Sequence, residues 1–334
     1  MKTSICSLGL VLFLTIGQMQ AVWSQAQGYP FVAVSSITDI DYTIPDAAIE
    51  VIDVSKKATG YWMYKAKDQK VSSDKVVVFL HGYGGYNPMI YGHWIRHLVQ
   101  QQYVVIFPRY QYNVFFPRPN KFAENAAEGI RTALNDLEEM EGIHSVDQAF
   151  YVGHSYGGTI LSEYMVHFAS FDIPKPTVAL LCAPGTSRLS GGRLETYAAI
   201  DPTIKMVIVE EFSDWVVGNE FSRKVFKESP EDMQKALMVD IPQVLEDAYY
   251  QAHHNECYSV DLSFDSGLRN YTASKSLEVG EVNELDYNLY WRIFDLLCAN
   301  NQQADHILFD TNTFDLCPGP NSTLDALHVQ HLID

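Results

Sequence analysis

Between residues 76 and 241, short apolar runs alternate with stretches whose apolar residues recur at helical spacing. Val76–Leu80 is a continuous apolar run closed by His81-Gly82. Tyr103–Phe107, Gln148–Val152, Thr177–Leu181, Lys205–Val209 and Ala236–Ile241 have the same character. Each has the length and the β-branched or aromatic content of a buried strand. Between them, Met89–Gln101 is spaced as a helix, and Phe122–Met140 puts Ala126, Ile130, Ala133 and Leu137 on one stripe. Thr159–Phe168 predicts the next helix. Strands alternating with helices build βαβ units, so the pattern predicts a mostly parallel sheet covered on both faces, with ligands at one strand-end edge. Residues 34–67 are expected to add antiparallel edge strands. A helical stripe over Leu285–Asn300, "LDYNLYWRIFDLLCAN", is expected to pack on the sheet. No internal repeat, low-complexity tract or linker interrupts the chain, so residues 27–334 read as one α/β domain.

The start of the chain follows a different rule. Lys2 precedes an apolar run, Ile5–Ile16, and a more polar stretch ends in Ser24-Gln25-Ala26. A short positive region, an apolar segment and small residues before a cut site predict a cleavable signal peptide over residues 1–26. The run falls short of the roughly 20 apolar residues that span a bilayer. Export then leaves Cys182, Cys257, Cys298 and Cys317, an even number in an oxidising setting. Cys182 ends a strand and is expected as a buried free thiol, whereas Cys298 and Cys317 flank a loop-like segment and form the preferred pair. No Cys/His spacing of the zinc type is present, and neither metal nor organic cofactor is expected. Asn270 and Asn321 each stand in an Asn-x-Ser/Thr sequon. The net charge of −18 argues against nucleic acid or an anionic membrane as the main partner.

Candidate chemistry enters at Gly153-His154-Ser155-Tyr156-Gly157, a G-x-S-x-G after one predicted strand and before a predicted helix. A nucleophile on so sharp a turn takes strained backbone angles, and glycine two residues to either side removes the collisions that larger side chains would make. The helix that begins there aims free N–H groups at the site. A glycine-rich turn with an incidental serine is the alternative reading. Serine itself is a poor nucleophile. It needs a base, and the base needs an orienting acid.

On these residues the chain resembles the α/β-hydrolase superfamily, with strand, serine, acid and histidine in that family's order. Dienelactone-hydrolase-like, chlorophyllase-like and polyester-hydrolase-like serine esterases are the branches it looks like. The resemblance implies an acid after Lys205–Val209. Asp214 fits best there, with Glu210 and Glu211 in reserve. It implies a base after Ala236–Ile241, where Ala252-His253-His254-Asn255 favours His254 over its neighbour His253. His306, His328 and His331 read as surface or packing residues. It also implies an oxyanion hole made by the backbone N–H of Tyr156 and of Tyr83, the latter in "HGYGG". The aromatics of "PRYQYNVFFPRP", residues 108–119, read either as pocket wall or as core cover. The expected activity is hydrolysis of a small-molecule or lipid-like carboxylic ester through an acyl-enzyme on Ser155, His254 and Asp214, with no nucleic acid and no stable membrane insertion. Acyl transfer, thioester or amide cleavage on the same residues, and a non-catalytic binding protein of this fold, remain as alternatives.

Overall fold

The computed structural model describes residues 49–310, apart from 68–69, 74, 144–145, 188, 190 and 246–247, together with 313–314 and 329–330. All of these belong to one compact unit, Thr38–Asp334. The signal peptide expected over 1–26 lies outside the described residues, as do Cys317, Asn321, His328 and His331.

Eight strands form the sheet: β1 (Ile49–Asp53), β2 (Tyr61–Ala66), β3 (Val76–Leu80), β4 (Val104–Pro108), β5 (Gln148–His154), β6 (Lys175–Cys182), β7 (Lys205–Glu211) and β8 (Lys235–Asp240). Their spatial order is β1-β2-β4-β3-β5-β6-β7-β8. Strand β2 runs antiparallel to both its neighbours, and β3 to β8 are parallel. This is the α/β-hydrolase fold, and β1 and β2 are the antiparallel edge expected from residues 34–67. From β3 the chain winds one way to β4 and then crosses back to β5. The strand order therefore reverses between β3 and β5, where the fold opens a crevice at the strands' carboxyl ends.

Helices cover both faces. Along β3 the side chains alternate: Val76, Val78 and Leu80 join a core built with α2 (Phe122–Glu141) and α3 (Tyr156–Phe171). Phe79 points the other way and meets Trp94 of α1 (Gly92–Gln100) edge-on at 5.2 Å. Trp94 in turn packs on Tyr290 and on Phe294 of the C-terminal helix α6 (Arg292–Ala299). The stripe read over 285–300 thus lies against the sheet, entered through a wider π-type turn at Asp286–Trp291. Complete burial of an aromatic of this size stabilises by about 2–3 kcal/mol, so Trp94 is a principal link between the two layers.

Two helices lie outside the elements expected from the sequence: α4 (Glu220–Glu228), only nine residues long although Phe221 and Val225 recur at helical spacing, and α5 (Tyr271–Val279), whose apolar stripe is weak. Helix α3 also starts three residues before the predicted Thr159, because Gly157 and Gly158 add nothing to a hydrophobic stripe. Their role is clearance. A Cβ at Gly157 would lie 2.0 Å from the Leu80 carbonyl oxygen, one at Gly153 would lie 2.6 Å from that of Gly157, and one at Gly158 would lie 2.7 Å from Pro184. Gly157→Ala should therefore cost at least the 1–3 kcal/mol of an overpacked core. Gly142→Ala, which meets nothing within 4 Å, should show only the smaller cost of a positive φ. Urea unfolding midpoints compare the two, and equal losses would contradict the steric account.

Candidate active site

Ser155 sits between β5 and α3 with φ 54° and ψ −118°. A left-handed φ on a serine costs about 1–3 kcal/mol, so neighbouring structure must impose it. Its N–H donates to the Cys182 carbonyl at 2.9 Å, and its own carbonyl accepts from Gly185 N–H at 3.1 Å. Strand β6 and the turn after it thus hold the elbow. The side chain is turned away from the core and into a cleft.

The other elements deliver their groups to the same edge. Asp214 lies in the turn after β7. His254 lies in the loop after β8, beyond a short hairpin (243–245 and 248–250). His254 Nε2 is 2.8 Å from Ser155 Oγ, and Nδ1 is 2.8 Å from Asp214 Oδ2. A carboxylate only accepts, so Nδ1 carries the proton and Nε2 is left to accept from the serine hydroxyl. Burial pushes the Asp214 carboxyl up, but the His254 hydrogen bond and the N–H groups of Val217 and Val216 outweigh it. The net position is below the ordinary value. Asp214 is therefore ionised at neutral pH. The structure brings Ser155, His254 and Asp214 together and leaves the reserves elsewhere. Glu210 accepts from Ser222 and pairs with Arg223, Glu211 pairs with Tyr290, and His253 turns toward Glu256. His306 is exposed beside Asp310.

The loop after β3 faces Ser155 from the other side of the crevice. Gly82 N–H donates to Tyr91 Oη at 2.9 Å, and Gly84 N–H donates to Gln111 Oε1 at 2.7 Å. The N–H of Tyr83, between them, has no partner among the described residues, nor has that of Tyr156 at the first turn of α3. The Tyr83 side chain is engaged elsewhere, donating to the Val114 carbonyl at 2.8 Å. Both tyrosines thus offer backbone rather than phenol to the cleft. His81 is buried in a stack on Tyr110 at 3.9 Å, and burial lowers its pKa to about 4, so it is neutral.

Three features of the site carried no signal in the sequence. The first is Tyr91. Its hydroxyl lies 2.9 Å from His154 Nδ1, and His154 Nε2 lies 2.8 Å from the His254 carbonyl. That carbonyl can only accept, so His154 carries its proton on Nε2 and accepts at Nδ1 from Tyr91, whose oxygen accepts from Gly82. A directed chain therefore runs from the loop of Tyr83 to the backbone of His254. The second is α5, which supplies Tyr271, Thr272 and Lys275 to the wall of a cleft of about 390 Å³. Its cap Asn270 donates to the Gly84 carbonyl at 2.8 Å. Asn270 had read only as a sequon.

The third is a pair of buried acids beneath the Asp214 turn. Glu211 ends β7 and Asp240 ends β8, directly opposite each other. Glu211 Oε2 and Asp240 Oδ2 have no donor among the described residues, and one proton held between the carboxyls supplies it. Burial, followed by repulsion from Asp240, pushes Glu211 well up, while burial and the Glu256 charge push Asp240 up to about 7 against a hydrogen bond from Glu211 that lowers it. The aromatics of residues 108–119 divide: Tyr110 is core, while Tyr112, Phe115 and Phe116 are exposed and line no part of the cleft. Cys182, Cys257 and Cys298 are buried free thiols; the partner preferred for Cys298 lies outside the described residues.

No protein-family profile matches the chain, and no curated protein does. Among solved structures, it is similar to a Klebsiella pneumoniae protein provisionally assigned as a dienelactone hydrolase. The two share 12% identity and a TM-score of 0.46 over 69% of this chain and 96% of that one. The fold assignment rests on the strand order and direction described above.

Two measurements check this geometry. Imidazole ¹⁵N shifts should show His154 as the Nε2–H tautomer, and Tyr91→Phe should broaden or shift Nδ1; an Nδ1–H tautomer would break the chain. A carboxyl raised in the folded state keeps a proton that the unfolded chain releases. The native fold therefore loses stability as pH rises from about 4 to about 7. Asp240→Asn should remove the part of that slope that Asp240 contributes, with a gain relative to wild type at pH 8 over pH 5 of at most roughly 3 kcal/mol. Parallel pH curves would contradict the shared proton.

Proposed function

We propose that the protein is a serine hydrolase of carboxylic esters, exported by way of residues 1–26 and acting outside the cytoplasm. The observation that carries this reading is the continuous array Ser155 Oγ, His254 Nε2, His254 Nδ1, Asp214 Oδ2, with both junctions at 2.8 Å. It is set on a strained elbow and faced by two free backbone N–H groups. Ser155 attacks the ester carbonyl carbon as His254 Nε2 takes its proton. The carbonyl oxygen becomes an oxyanion, which accepts from the N–H groups of Tyr83 and Tyr156, each worth on the order of 3 kcal/mol of barrier. Ionised Asp214 stabilises the imidazolium and fixes its orientation. The C–O bond to the alcohol breaks, His254 returns its proton to the leaving oxygen, and the acyl group stays on Ser155. Water, deprotonated by His254, then repeats the sequence and releases the acid.

Among the described residues no helix is long and apolar enough to cross a membrane. The acidic surface, at net −18, fits an uncharged substrate better than nucleic acid.

Ser155→Ala should lower kcat on a short p-nitrophenyl ester on the order of 10⁴-fold or more, with the melting temperature nearly unchanged. His254→Ala should match it, whereas His253→Ala should retain most activity. A fluorophosphonate should label Ser155. Folded protein that neither labels nor turns over the ester would sink the reading.

A further inference from the structure

We propose that this cleft works at the surface of a fluid, water-insoluble ester phase, a neutral acylglycerol emulsion. Phe115, Phe116, Trp215 and Tyr271 form the rim that holds the protein there. The inference rests on the ester-hydrolase reading and names its substrate class. These four side chains are 82%, 83%, 92% and 80% exposed, more than any other large hydrophobic side chain among the described residues. Large aromatic rings left this exposed on segments that all border one cleft mark it as a place of interaction rather than as scattered surface residues.

All four stand on segments that border the cleft. Trp215 lies between Asp214 and Val216, and Val216 and Tyr271 line the cleft directly. Phe115 and Phe116 follow Val114, whose carbonyl accepts from Tyr83 and whose side chain, with that of Thr272, crowds Gly84. The rings are displayed by ordered backbone. Asn113 Oδ1 accepts from the N–H groups of both Phe115 and Phe116 at 2.9 Å. Asp214 Oδ1 accepts from Val216 at 2.8 Å and Val217 at 3.0 Å, and Asn270 caps α5 beneath Tyr271. Local hydrogen bonds thus spend backbone donors on holding apolar rings outward, at the mouth of one cleft.

The chemistry of the occupant follows from depth and charge. A soluble ester small enough for a cleft of about 390 Å³ would leave Phe115 and Phe116 wet. Rings that project singly from separate segments are covered only by a phase they can sink into, which a liquid ester allows and a solid polymer does not. The chain has 41 acidic and 23 basic residues, yet residues 108–123 contain no Asp or Glu and carry Arg118 and Lys121. Lys275 stands at the cleft wall. The Phe115–Phe116 side of the mouth therefore lacks the negative charge of the rest of the protein, and its cations suit the carboxylates that hydrolysis leaves at such a surface.

The test separates binding from turnover. Ser155→Ala protein is mixed with a triolein emulsion and floated, beside the same protein carrying Phe115→Ser and Phe116→Ser. Recruitment should fall at least tenfold in the second. In the active enzyme the two changes should lower hydrolysis of emulsified ester at least tenfold and of dissolved p-nitrophenyl acetate less than twofold. Trp62, Trp94 and Trp291 are buried, so in protein prepared without residues 1–26, which hold Trp23, a blue shift of tryptophan emission on adding emulsion should vanish in Trp215→Phe. Equal flotation of the two proteins, binding to a solid polyester film alone, or a rim buried in a dimer of this chain would each overturn the proposal. Flotation without cleavage of any dissolved ester would instead strike at the hydrolase reading.

Discussion

The site depends on a backbone conformation that serine does not choose for itself. Ser155 at φ 54° is held by two backbone hydrogen bonds, one to the end of β6 and one from Gly185. Each is worth about 1 kcal/mol net, comparable to the strain it opposes. The elbow persists because the parallel ladder fixes Cys182 opposite His154, so the donor and acceptor are in place before the turn is made. The sheet therefore does more than carry the serine. It supplies the partners that make a high-energy turn the lowest-energy path from β5 into α3. Glycines 153 and 157 are needed for the same reason, since strand β3 passes so close that Leu80 and His81 occupy the volume of a side chain at 157.

Once the elbow is fixed, the remaining groups are brought to it by loops that are tied to one another. Gly84 is one node. Its N–H goes to Gln111 and its carbonyl to Asn270, so the loop after β3 is joined to the segment after β4 and to α5. His154 is a second node, reaching Tyr91 on one side and the His254 backbone on the other. The distance between the free N–H of Tyr83 and the imidazole of His254 is thus governed by side chains packed under the elbow. On the proposed reaction a substrate carbonyl would have to meet both within hydrogen-bonding reach in one geometry, which is the positioning such a network provides.

Sequence pattern made the sheet and Ser155 legible because both rest on local rules: continuous apolar runs for buried strands, and glycine spacing for a turn. Asp214 and His254 were legible only through strand order, and strand-end position alone left Glu210, Glu211 and His253 as rivals. What separates them is direction. At the end of a strand the side chains alternate sides, and Glu210 points to Ser222 and Arg223 while Glu211 points to Tyr290. Of the adjacent histidines, one faces the serine and the other Glu256. Such directions are set by packing from distant segments. Helix α5 was missed for a related reason. Its residues carry a weak stripe, and its place at the cleft is fixed by Asn270 reaching across 186 positions to Gly84.

The acids under the Asp214 turn show how charge is distributed through this site. Asp214 is kept ionised by a histidine and two N–H donors, whereas Glu211 and Asp240, a few residues away, lack enough donors to ionise together. The difference arises from the strand ladder. Asp214 lies past the end of β7, where backbone N–H groups are free to turn toward it, while Glu211 and Asp240 lie within the paired strands, where those groups are spent on the sheet. A pair that shares a proton carries one negative charge instead of two, and neither of its carboxyls reaches the imidazole, so Asp214, in direct contact with Nδ1, is the carboxylate that orients the ring.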